Sequence, residues 1–168
     1  MDKDLDREQS ILDKLIVFLK QKKKLVILIT FLILVFTITL FVVYEKNKRK
    51  NILISEKYVK AGILLSKKEN KKAKTIYEEI ILSNNKFYSL LALNIIIEKK
   101  LIIDQKKILK YFLELENQNF SPDLKDLILF KKALYLLSIK DNKIANSILE
   151  DLIKNKSKLT TSAQEIIR

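Results

Sequence analysis

The 168-residue chain contains no cysteine, no histidine and no tryptophan, and only one glycine and one proline. Each absence removes a class of chemistry. Without imidazole or thiol there is no histidine acid/base catalysis, no thiolate nucleophile, no Cys/His zinc site and no disulfide framework. The lone Gly62 cannot build a phosphate-cradling loop. Sheet proteins turn on Gly and Pro, so their scarcity predicts an all-α chain, and the helical spacing of Ile, Leu, Lys, Glu and Asn agrees. The length suits one modest domain beside whatever else the chain carries.

What is present begins with residues 25–44, a run without charge whose polar members are Thr30, Thr37, Thr39 and the terminal Tyr44. Twenty helical residues span about 30 Å, the thickness of the hydrocarbon core, and a Thr hydroxyl can return to the helix backbone. A few tenths of a kcal/mol per apolar residue favours insertion by roughly 5 kcal/mol. A buried core helix is the alternative, but a domain of about 120 residues cannot surround such a helix on every side. A cleavable signal peptide is the sharper competitor. Against it, 24 residues precede the run, which is long for a signal core, and Tyr44, Glu45, Lys46, Asn47 and Lys48 close it with no small-x-small cleavage pattern. An uncleaved anchor is expected.

Ahead of the anchor, Ser10 and Asp13 form a capping box before Ile11, Leu12, Leu15, Ile16 and Leu19, which share one helical face. This predicts a short amphipathic helix, and Lys20, Lys22, Lys23 and Lys24 after it suit anionic headgroups. Charge does not set the orientation, because both flanks of the run are positive.

The rest of the chain repeats internally. Residues 66–81 align without gaps to residues 138–153, and at the same offset of 72 Tyr58 meets Phe130, Ala61 meets Ala133, Leu64 meets Leu136 and Leu65 meets Leu137. Twice 36 is close to twice the 34-residue helix-turn-helix period of tetratricopeptide repeats, so a third, degenerate repeat is expected between the two. Tyr88, Leu91, Ala92, Ile95 and Ile96 supply its first helix, and Ile108, Leu109, Phe112 and Leu115 its second. The small residues Ala61, Ala73, Ala92, Ala133 and Ala145 fall where antiparallel helices approach, with large apolar residues covering the seam. Glu69-Asn70 and Asp141-Asn142 mark turns whose Asn or Asp can cap the next helix. Ser121-Pro122 opens the last full repeat as N-cap and first helical residue, and Thr161 with Gln164 caps a short terminal helix. The expected layout is a cytoplasmic amphipathic segment (1–24), a transmembrane helix (25–44), a juxtamembrane linker (45–54) and an α-α superhelix of about three tetratricopeptide-like repeats (55–168).

This order resembles the membrane-anchored ancillary SecYEG translocon subunit family, most tellingly in residues 10–24, 87–93 and 121–134. The repeat domain is also similar to cell-division coordinator proteins. The resemblance implies a single-pass protein of the bacterial inner membrane, N-terminus cytoplasmic and repeats periplasmic. It further implies an interaction scaffold, accessory to the Sec translocon and linking it to periplasmic chaperones. A scaffold for cell division or another envelope complex is the alternative.

Residues 45–168 hold 26 basic and 15 acidic side chains, so nucleic acid must be weighed as a partner. The basic residues are nearly all Lys, spread over most helices, without the aromatic interleaving that stacks bases. No nucleic acid is expected, and a solvated surface drawn to anionic lipid near Lys46, Lys48, Arg49 and Lys50 accounts for the charge. The pairs Glu78-Glu79, Glu150-Asp151 and Glu114 with Glu116 invite an acid/base or metal reading. Adjacent helical side chains diverge by about 100°, however, so no catalytic residue, cofactor or metal is expected. For partner binding, a superhelix offers a concave face lined by first helices. In the register of Ala61, Ala92 and Ala133 that face presents Tyr58, Lys60, Tyr88, Asn94, Lys131 and Tyr135.

Overall fold

The computed structural model describes residues 22–167, and the capping box at Ser10 and the amphipathic helix after it lie outside them. The described residues form seven α-helices and no strand: α1 (Lys23–Ser66), α2 (Asn70–Ile81), α3 (Tyr88–Glu98), α4 (Gln105–Glu116), α5 (Pro122–Ser138), α6 (Asn142–Lys154) and α7 (Thr160–Ile167). The chain divides into two compact units, Met1–Arg49 and Lys50–Arg168.

In the first unit, the apolar run is wholly helical and none of its described side chains is buried. Phe41, for example, is 69% exposed. The run is therefore not packed inside this chain, and the helix is long and apolar enough to cross a membrane. The hydroxyls of Thr37 and Thr39 donate to the carbonyls of Leu34 and Val35, each at 2.8 Å, so neither hydroxyl donor is left unpaired.

Residues 45–54 continue α1 without a break, and Ile54 is already buried in the core of the second unit. The stretch contains neither Gly nor Pro, and Arg49 pairs with Glu45 one turn earlier at 3.1 Å, so nothing in it interrupts a helix.

In the second unit, α2 packs on α3, α3 on α4, α4 on α5, α5 on α6 and α6 on α7. The C-terminal part of α1 joins this stack through Ile54 and Ala61. The main core gathers Ala61, Ala73, Tyr77, Ile80, Leu93, Ile96, Phe112, Leu115 and Ile128, and a second cluster joins Ala133, Leu149 and Ala163. All five alanines singled out above have no exposed surface.

The offset of 72 recurs in the backbone. Helices α1 and α5 end at Ser66 and Ser138, and α2 and α6 begin at Asn70 and Asn142. Positive φ falls at Lys68 and Lys140, and again at Asn84 and Lys156. Four helices end identically: the amides of Lys68, Lys100, Lys140 and Lys156 reach carbonyls three residues back, and the amides after them reach five back. This is the Schellman closure, built on Lys where Gly is usual.

Three expected caps need correction. Glu69 rather than Asn70 precedes α2 and Asp141 precedes α6, but neither side chain bonds the helix start, because the left-handed residue just before them feeds the chain directly into the next turn. Helix α7 starts at Thr160, one residue before the expected cap, and the Thr160 hydroxyl donates to the Ser157 carbonyl at 2.7 Å. Ser121 occupies the N-cap and Pro122 the first turn of α5 as expected, although the serine hydroxyl makes no cap bond.

Candidate partner-binding surface

Of the six predicted binding residues, the structure brings two into contact. The Tyr58 ring on α1 lies 5.3 Å from that of Tyr88 on α3 and 5.7 Å from that of Tyr77 on α2, and the Tyr88 hydroxyl donates to Ser55 Oγ at 3.0 Å. Phe87 adds an edge-on ring 5.0 Å from Tyr88 and is itself 65% exposed. Tyr58 and Tyr88 are half-buried, so this row of rings closes the joint between three helices and leaves only its outer end open.

Tyr135 is not a surface residue. It is 7% exposed and packs against Phe112, ring centroids 6.0 Å apart. It sits two residues from Ala133, about 200° round the helix. That position would be open on an edge helix, but α5 packs on α4 through one face and on α6 through the other. Burial and the Asp104 charge push the Tyr135 hydroxyl pKa above its ordinary value, and burial followed by Tyr58 does the same for Tyr77. Asn94 and Lys131 are half-buried on α3 and α5, and Lys60 is exposed on α1.

Lys60 belongs to a surface that helical periodicity alone did not single out. It lines a shallow groove of about 470 Å³ with Ser55, Glu56, Val59, Ile63, Leu64 and Lys67. Val59 and Ile63 are 58% and 50% exposed there, four residues apart and one turn above each other. They lie off the face through which Ile54 and Ala61 enter the core. The available signal was this second apolar stripe on one helix.

The paired carboxylates diverge. Glu78 is held by Lys107 Nζ at 2.6 Å and by the Tyr111 hydroxyl at 3.0 Å, both from α4, whereas Glu79 accepts from Lys57 of α1 at 2.7 Å. Glu116 pairs with Lys132 across α4 and α5 at 2.8 Å. The hydrogen bond to Glu78 raises the Lys107 pKa, and burial, then the same carboxylate, raises that of Tyr111. These acids hold helices together, and no group of three metal-ligating side chains occurs among the described residues.

No family model, curated protein or solved structure matches the chain.

Proposed function

We propose that this chain is a membrane-anchored protein–protein interaction scaffold, an accessory subunit of the Sec translocon that links it to periplasmic chaperones. The observation that carries the scaffold reading is one chain's combination of an apolar helical run with no buried described side chain and a helical domain whose helix ends recur at an offset of 72. Stacked helix pairs of this kind serve as recognition surfaces, because each pair adds side chains to a shared face without forming a reaction pocket. The pattern of residues 10–24, 87–93 and 121–134 supports the translocon as partner, the bacterial inner membrane as location and a periplasmic repeat superhelix. In this reading the chain catalyses nothing and needs no cofactor or nucleic acid. The Val59–Ile63 stripe, with Lys60 and Lys67 at its rim, has the apolar centre and charged edge of an interface.

The test is isolation of the tagged full-length protein from native membranes in polymer nanodiscs, followed by identification of what accompanies it. Translocon subunits enriched over a span-only control are expected. Their absence from both samples contradicts the translocon assignment.

A further inference from the structure

The connection between α2 and α3 holds an aromatic ring in the open by a locked backbone. Asn85 is buried, and its Oδ1 accepts from the amides of Phe87 at 3.0 Å and Tyr88 at 2.9 Å. Its amide donates to Ser89 Oγ, which in turn donates to the Ile80 carbonyl. Its Nδ2 donates to Asn51 Oδ1 on α1 at 2.9 Å, so the connection is pinned to the start of the second unit. Phe87 projects beyond this knot, Lys86 beside it is exposed and makes no ion pair among the described residues, and Ile52 and Leu53 next to Asn51 are about half exposed.

The position 72 residues on shows what the same turn does elsewhere. Ser157 replaces Asn85 and accepts from the Leu159 amide as Asn85 does from Phe87. There the apolar residue, Leu159, is partly covered, and the lysine, Lys158, is paired with Asp123. Only the copy nearer the anchor in sequence keeps both groups free. Asn51 follows Tyr44 by seven residues, a reach of at most about 25 Å even for extended chain, and exposed Lys46, Lys48 and Lys50 occupy that interval.

We propose that the Lys86-Phe87 turn is a lipid-surface contact, with Phe87 entering the interfacial layer of an anionic bilayer and Lys86 meeting its headgroups. Charge and tether favour this occupant: an anionic surface attracts the lysines, an apolar layer the ring, and the bilayer around residues 25–44 supplies both within reach. This rests on the reading of residues 25–44 as a membrane anchor.

The chain's lack of Trp makes single-Trp probes clean. Phe87→Trp, Phe36→Trp in the apolar run and Ile103→Trp, at an 88% exposed site on the α3–α4 connection, are each introduced into the full-length protein. The proteins are reconstituted in vesicles of phosphatidylcholine with or without phosphatidylglycerol, with brominated acyl chains as quencher. The expected result is loss of emission for Phe36→Trp in both lipids, loss and a blue shift for Phe87→Trp that is strongest with phosphatidylglycerol, and no change for Ile103→Trp. Quenching of Phe36→Trp alone overturns the lipid contact, leaves the anchor standing and points to a protein over the turn. Quenching of none overturns the anchor and the contact together, and equal quenching of Phe87→Trp and Ile103→Trp overturns the contact as non-specific adsorption. Should Phe87→Trp lose its helical circular dichroism, Lys86→Cys carrying a polarity-sensitive dye, the only thiol in the chain, gives the same readings.

Discussion

Lys68, Lys100, Lys140 and Lys156 close their helices with φ of 62°, 49°, 65° and 53°. A side chain in that left-handed region costs about 1–2 kcal/mol, while glycine loses about 0.5–1 kcal/mol more backbone entropy on folding. Replacing one such Lys with Gly should therefore stabilise the second unit by about 0.5–1 kcal/mol. For a domain of this size that is about 2–4 °C in melting temperature. The four sites close different helices and share no hydrogen bond, so the quadruple variant should gain about 2–4 kcal/mol. Removing Lys also removes a charge near a helix C-terminus, which Lys→Ala at the same site measures separately. The decisive comparison is Lys110→Gly, the same change at an exposed position inside α4, where glycine should cost about 1 kcal/mol. Full-length variants in detergent, unfolded by heat and followed by circular dichroism, supply the assay. Lys68→Gly and Lys110→Gly shifting stability in the same direction would refute the left-handed closure.

Gly62 lies inside α1 with no positive φ, and an added Cβ meets only the Tyr77 hydroxyl at 3.9 Å, so Gly62→Ala should stabilise by about 0.5–1 kcal/mol in the same melts. Ala133→Leu should destabilise by about 1–3 kcal/mol through overpacking at a seam with no free surface. Its comparator is exposed Lys143→Leu, since the neighbouring Lys132 is only 20% exposed and tied to Glu116. Tyr77, Tyr111 and Tyr135 all have folded pKa values raised above the ordinary 10.0, first by burial. Their stabilising contribution is complete below that value and is lost as pH rises through the higher folded values. Phenolate absorbance should thus show Tyr77, Tyr111 and Tyr135 titrating late, together with loss of helical signal.

Much of the fold is legible in the residues themselves. The uncharged run, the helical class and the alanine seam follow from charge, glycine scarcity and spacing, because a missing side chain at a helix crossing leaves a mark no surface position imitates. The burial of Tyr135 and the helical course of 45–54 are not legible for a common reason: periodicity records one buried face per helix, whereas α5 has two and α1 runs unbroken from the apolar run to Ile54. The missing cap bonds ahead of α2 and α6 are not legible because Lys in the left-handed conformation carries no sequence signal of its own. The candidate surface was legible only in part. Lys60 follows from the register, whereas Val59 and Ile63 are indistinguishable in sequence from core residues, because only the packing sets which side of α1 the core takes.

The most direct test of the proposed scaffold role is photocrosslinking in native membranes with a benzophenone amino acid at Val59, in the exposed stripe, and at Lys143, exposed on α6. Adducts with translocon subunits or periplasmic chaperones from Val59, and few from Lys143, are the predicted result. Adducts only with cytoplasmic proteins, or the same faint set from both positions, would contradict it.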